Sequence, residues 1–230
     1  MKTILLWDAP TRLFHWTLVA CVAGAMATGL IGGNWMEWHG RLGFVIAGLL
    51  AFRLIWGFAG HATARFCQFV RGPGAVIAYL QGRWQGIGHN PIGAFSVLGM
   101  LAVLSFQITS GLVANDDIAF VGPYNILVSK ELETLMTGLH KKNFWLIALL
   151  IAAHFGAIAF YKLVKKDNLI TPMLNGQKEV PTETPEPRPA HPVALLIAVA
   201  FALTVGWLAA GGIADRLAPP PPTPAATPTW

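Results

Sequence analysis

Residues 139–161 read LHKKNFWLIALLIAAHFGAIAFY. From Asn143 to Tyr161 the run is largely apolar and uncharged, with one histidine deep inside it, and about 20 such residues cross a bilayer as an α-helix. An ionisable side chain at membrane depth is costly and usually functional, so His154 is the first residue to explain. A second histidine, His140, stands 14 residues earlier. At about 100° per residue that step returns to within about 40° of the same face, and at about 1.5 Å per residue it spans roughly 21 Å. One helix therefore presents two imidazoles from one face, one near each side of the membrane.

Four further runs have the length of a span: Leu13–Gly33, Leu42–Gly60, Ile92–Val113 and Pro192–Ala214. Of the 230 residues 54% are hydrophobic and 12% charged, with a mean hydropathy of +0.54. A soluble domain carries about 25% charged residues. The fold class is an all-α membrane protein. The net charge of +5 comes without a basic cluster, so nucleic acid is not a partner. Cys21 and Cys67 show neither CxxC nor CxxCH spacing, which excludes a disulfide scaffold and a covalently attached c-type haem.

Helix-start chemistry supports these runs. Asp8 can cap the first helix, Pro10 sits in its first turn and Arg12 follows Asp8 at i+4. Asn90-Pro91 opens the third span and Gly60 closes the second. The first run is not a removable signal, because its apolar stretch starts only after WDAPTR and holds His15. Placing the N-terminus in the cytoplasm puts ten Lys and Arg inside and five outside, with Arg53 inside a span. Residues 61–88 then form an inner loop in which GPGAVIAYLQG makes a short surface helix. Residues 114–139 form an outer loop with Asp116, Asp117, Glu131 and Glu133.

The chain divides into a four-helix bundle (1–175), a Pro-rich linker (176–191), a fifth transmembrane helix appended through a hinge (192–214) and a disordered Pro-rich tail (215–230). Tryptophans near span ends, among them Trp7, Trp35, Trp38, Trp56 and Trp145, read as an interfacial belt.

Antiparallel spans supply partners for the two histidines. His15 near the inner end of the first span is level with His154, and His39 at the outer start of the second is level with His140. Two imidazoles reaching across an apolar bundle from separate helices are how a haem iron is held. The same 14-residue step from His39 leads to Arg53, and from His15 to Gly29. Arg53 at the inner level can offset a porphyrin carboxylate, and Gly29 leaves room for a flat macrocycle. Arg12 is a further candidate on the cofactor-facing side. His61, His89 and His191 stay unassigned as ligands.

The segments WDAPTRLFHW (7–16), WHGRLGFVIAGLLAFRLIWGF (38–58), ARFCQFVRGPGAVIAYLQG (64–82), GHNPIGAFSVLGMLAVLSFQITSGL (88–112) and LHKKNFWLIALLIAAHFGAIAFYKLVKKDNLITPMLNG (139–176) resemble, in order, those of bacterial di-haem cytochrome b561 proteins. That family includes the cytochrome b subunits of nickel-iron hydrogenases. The resemblance covers roughly residues 5–175 and implies a four-helix bundle in the bacterial inner membrane. It further implies two non-covalent, bis-histidine haem b groups on His15, His39, His140 and His154, with electrons exchanged with quinone. The fifth span and tail, residues 179–230, depart from the smallest members.

The expected function is a transverse relay between the quinone pool and a periplasmic partner, either a c-type cytochrome or a dehydrogenase or hydrogenase subunit. As a component of a quinone oxidoreductase, the chain has quinone-proton candidates in His61, His89 and Arg65 inside and in Lys141, Glu37 and Asp116 outside. The acidic outer loop is a candidate dock. Two rivals are a non-redox proton or metal transporter using buried His and Arg, and a scaffold subunit of a larger complex.

Overall fold

The computed structural model describes residues 1–218 apart from Gln85. In chain order the elements are β1 (Lys2–Leu5), α1 (Ala9–Ile31), α2 (Met36–Ala59), α3 (Phe66–Phe69), α4 (Pro73–Leu80), α5 (Pro91–Leu112), α6 (Lys130–Phe160), α7 (Ile170–Asn175), β2 (Gln177–Val180), α8 (Pro192–Ala209) and α9 (Ala214–Leu217). Among the described residues, five helices are long and apolar enough to cross a membrane: α1, α2, α5, α6 and α8. Outward side chains such as Leu13, Leu149 and Leu196 are exposed, as a lipid-facing surface requires. The protein is a multi-pass helical membrane bundle.

The caps explain where the helices begin. The Asp8 carboxylate accepts the Thr11 N–H at 3.2 Å, and the Asn90 side chain accepts the Gly93 N–H at 2.8 Å. Ser129 caps α6 through the Leu132 N–H at 3.4 Å. That cap starts α6 at Lys130, within the stretch expected to be the outer loop. KELETLMTG is too polar to read as a span, yet it extends the helix beyond the apolar run. At the other boundary α8 ends at Ala209 instead of Ala214, and Gly211 takes a left-handed φ of 92° that turns the chain into α9. The expected short helix in the 61–88 loop is α4.

Gln177–Val180, read as the start of the linker, is a strand. It pairs antiparallel with β1, Lys2 opposite Val180 and Leu5 opposite Gln177. The N–H groups of Leu6 and Trp7 then donate to the Gly176 carbonyl at 2.7 and 3.1 Å. The start of the chain is thereby stitched to the segment following α6. The part of the Pro-rich tail beyond residue 218 lies outside the described residues.

The hairpin α1–α2 packs beside the hairpin α5–α6, the two meeting chiefly through α2 and α5. The fifth helix does not hang on a hinge, because α8 lies along α2. Small residues allow this approach: Ala194 and Ala198 are buried, and a Cβ on Gly48 would sit 2.9 Å from the Ala202 carbonyl oxygen. Midway through the bundle, Cys21, Val22, Ile46, Leu50, Leu104 and Ile147 form one apolar cluster. Trp7 and Trp56 are buried rather than interfacial. Trp56 faces inward because α2 has α1, α5 and α8 around it, and its indole N–H donates to Thr11 Oγ1 at 3.2 Å.

Candidate functional site

Two imidazole pairs cross between helices, one at each end of the bundle. His15 of α1 and His154 of α6 form the near pair, at the end carrying β1, with ring centroids 6.5 Å apart. His39 of α2 and His140 of α6 form the far pair, 5.9 Å apart. A histidine nitrogen binds a metal at about 2 Å, so two axial bonds plus two ring radii come to roughly 6 Å. Both separations match that span. All four sequence-derived histidines thus come together in the two combinations that their depth and face dictate.

The far pair is held by carbonyl groups. His39 Nδ1 lies 2.8 Å from the Ala25 carbonyl and His140 Nδ1 lies 2.9 Å from the Gln107 carbonyl. A carbonyl only accepts, so Nδ1 carries the proton in each ring and Nε2 keeps its lone pair. A metal-binding histidine is commonly oriented this way. The Gln107 side-chain amide donates to His140 Nε2 at 3.0 Å, and Asn143 Nδ2 donates to Gln107 Oε1 at 2.8 Å.

Gly29 contacts a ring directly. A Cβ there would lie 2.9 Å from His39 Nδ1, so the space expected for a macrocycle is taken by the imidazole itself. Gly111 of α5 does the same for His140, with 2.9 Å to Cε1. Sequence reasoning missed Gly111, although the polar residues Gln107, Thr109 and Ser110 before it in an uncharged span were a usable signal.

Around the near pair the groups are cationic or aromatic. Arg53 is 4% exposed, and its guanidinium lies over the Phe66 ring at 4.6 Å and 5.9 Å from that of Phe69. Arg12 does not pair with Asp8. Its Nη1 donates to the Leu174 carbonyl at 2.5 Å, which ties α1 to the chain beyond α6.

His89, unassigned as a ligand from sequence but a quinone-proton candidate there, sits between Trp7 and Phe69, each 4.8 Å away by ring centroid. Burial pushes its pKa down to about 4, with the positive charge of Arg53 and the neighbouring His154 and His15 acting in the same direction. It is neutral near pH 7. His61 is buried. Thr63 uses its hydroxyl proton on the Leu6 carbonyl, so Thr63 Oγ1 accepts from His61 Nδ1 at 2.8 Å. Burial lowers the His61 pKa, Asp8 opposes that and Arg65 adds to it. His191 caps α8, accepting the Val193 N–H at 3.3 Å.

A test of fit for haem comes from polar satisfaction. Among the described residues, the buried side-chain nitrogens without a partner are Arg12 Nε, His15 Nδ1, Arg53 Nη1 and His89 Nδ1. All four belong to the near end. An unmade hydrogen bond to a buried group costs about 1–3 kcal/mol, so this end suits a ligand rich in acceptors and negative charge. Among the described residues no group of three or more His, Cys, Asp or Glu is placed to hold a metal ion. Each pair brings only two imidazoles together and leaves the remaining donors to a macrocycle. Haem, with four ring nitrogens and two carboxylates, fits both requirements.

The profile of the prokaryotic cytochrome b561 family matches residues 6–176. Two relatives, one from Escherichia coli strain K12 and one from Escherichia coli O157:H7, are each named "Probable Ni/Fe-hydrogenase 1 B-type cytochrome subunit". Each is 24% identical over 211 residues, covering 75% of this chain and 89% of the relative. No solved structure matches the chain. With helices, imidazole pairs and family match in agreement, the chain belongs to the prokaryotic cytochrome b561 family and is a membrane b-type cytochrome of electron transfer.

Proposed function

We propose that this chain binds two haem b groups and relays electrons across the bacterial inner membrane between quinone and a redox partner on the periplasmic side. The observation that carries this reading is the spacing of the two imidazole pairs, 6.5 and 5.9 Å, at opposite ends of one bundle. His15 and His154 hold the inner group, and His39 and His140 the outer. Haem, when bound, supplies a one-electron iron couple, and two imidazoles per iron leave no coordination site open to substrate.

The protein's part is to clamp, orient and insulate. Ala25 and Gln107 aim the outer imidazoles through their carbonyls. Arg53 and Arg12 place positive charge beside the inner pair, opposing the macrocycle's carboxylates. Ten Lys and Arg on the N-terminal side against five on the other support a cytoplasmic N-terminus. The names of the relatives support a nickel-iron hydrogenase catalytic subunit as the partner. The unit that does this is residues 1–175, with α8 packed against its α2.

The experiment is the spectrum of the purified protein. A red preparation with a reduced-minus-oxidised haem b signal and two haems per chain supports the proposal. His154→Ala should then remove the inner haem and His140→Ala the outer, each leaving the other visible. A colourless protein from haem-replete cells, or a single substitution that removes neither haem, overturns it.

A further inference from the structure

The residues already given a part leave one half-buried side chain of the inner end, that of His89, unexplained. His89 is not an axial partner in either imidazole pair, because its ring lies between Trp7 and Phe69. Its position is nonetheless fixed from three directions. Asn90 caps α5 immediately after it, β1 and the Gly176 contacts hold the segment carrying Trp7, and α3 supplies Phe69. Packing of that kind confines the imidazole to one orientation, yet its Nδ1 is buried with no partner.

Two more unpartnered buried nitrogens, Arg53 Nη1 and Arg12 Nε, belong to the same end. Phe69 links two of the three, lying 4.8 Å from His89 and 5.9 Å from Arg53. Arg12 precedes His15 by one helical turn. A neutral donor and two fixed cations with unspent N–H groups are complementary to an acceptor that bears negative charge. Carboxylate is the acceptor of that kind that a haem brings with it, and charge-assisted bonds to it are about twice as strong as neutral ones.

Resting on the haem reading above, we propose that His89 is a positioning residue of the inner haem. Its ring N–H donates to a carboxylate on the macrocycle edge, completing with Arg53 and Arg12 a three-sided clamp. The Trp7–His89–Phe69 stack makes the clamp rigid. It also couples the inner haem to the β1–β2 ribbon, since Trp7 belongs to the segment stitched to Gly176.

The test uses the holoprotein and two substitutions. His89→Phe keeps an aromatic ring between Trp7 and Phe69 and removes the donor, whereas His89→Asn restores a donor in a smaller side chain. Losing the donor leaves more negative charge on the carboxylate, which favours ferric iron. His89→Phe should therefore lower the inner haem's midpoint potential, raise the pH at which that potential responds to carboxyl protonation, and shift the carboxylate bending band in the resonance Raman spectrum. The outer haem should not change, and His89→Asn should recover most of each shift.

An unmoved inner potential and Raman band in His89→Phe with both haems bound overturns the clamp alone. A changed KM for quinone with the potential and band unmoved also overturns it, assigning the donor to the quinone instead. If His89→Phe fails to fold, His89→Met, which also lacks a donor, decides the matter: a shifted carboxylate band with both haems bound supports the clamp, and an unmoved band overturns it. A wild-type preparation without haem sinks the underlying reading first, so the two failures are distinct.

Discussion

The His39 imidazole rests on Gly29: a Cβ on that glycine would stand 2.9 Å from Nδ1 and 3.0 Å from Cε1. The alanine variant must therefore push the ring off its bond to the Ala25 carbonyl. Overpacking of this kind costs about 1–3 kcal/mol, which is about five- to 150-fold in retention of the outer haem. Gly29→Ala should lower the haem-to-protein ratio toward one while the inner signal persists. Gly111→Ala should do the same through His140. Gly99→Ala is the control, since a Cβ there meets nothing within 4 Å.

Asn143 is buried and donates both to the Val103 carbonyl at 3.1 Å and to Gln107 Oε1 at 2.8 Å. Asn143→Leu leaves both acceptors unpaired, a loss of about 1–3 kcal/mol. It also frees the Gln107 amide that faces His140. The thermal midpoint in detergent should fall, with the outer haem released before the inner on heating. Equal release of both would place Asn143 in general packing only.

The seam between α2 and α8 admits no larger side chain at Gly48. Gly48→Val drives a branched side chain into the Ala202 carbonyl, 2.9 Å from the first added carbon, and should destabilise the protein by about 1–3 kcal/mol. Because that face of α2 looks away from both imidazole pairs, each haem spectrum should survive at low temperature. Loss of haem with unchanged thermal midpoint would contradict this division of labour.

Acid should loosen the N-terminal end. The folded pKa of His61 lies below its ordinary 6.5, so above 6.5 its contribution is complete. As pH falls from 6.5 toward the folded value, the unfolded chain binds the extra proton and stability drops by at most about 1.4 kcal/mol per unit. His89, at about 4, adds a loss of the same sign over a wider window. Thermal midpoints should be lower at pH 5.5 than at pH 7.5. His61→Gln should reduce that difference without abolishing it, and an unchanged difference would remove His61 from the account.

The histidine pairs were legible because a 14-residue step keeps one helical face and antiparallel spans fix the depth. Arg53 was legible at its level for the same reason, although its cushion of Phe66 and Phe69 was not, since those aromatics come from a separate turn. His89 read as a loop residue before Asn90-Pro91. Its neighbours, Trp7 and Phe69, are remote in sequence, and no periodic pattern connects them. Strands β1 and β2 are four residues each, too short for alternation to rise above the surrounding chain. Trp56 was misplaced because a tryptophan near a span end resembles an interfacial anchor. Only the packing of α8 on α2 shows that α2 has neighbours on several sides.

Ile147 lies seven residues from His140 and seven from His154, within the cluster of Cys21, Val22, Ile46, Leu50 and Leu104. This waist contains no ionised group, and the thiol of Cys21 is only a weak donor. Proton hopping needs a file of water or polar side chains, whereas electron tunnelling passes through aliphatic matter. On the proposed reading, with a haem at each imidazole pair, an electron passing between them would travel without a proton and the transfer would be electrogenic. Against a membrane potential of 100 mV each such passage would be worth about 2.3 kcal/mol for a full crossing, so the proposed relay would be throttled or driven by the voltage the cell already holds.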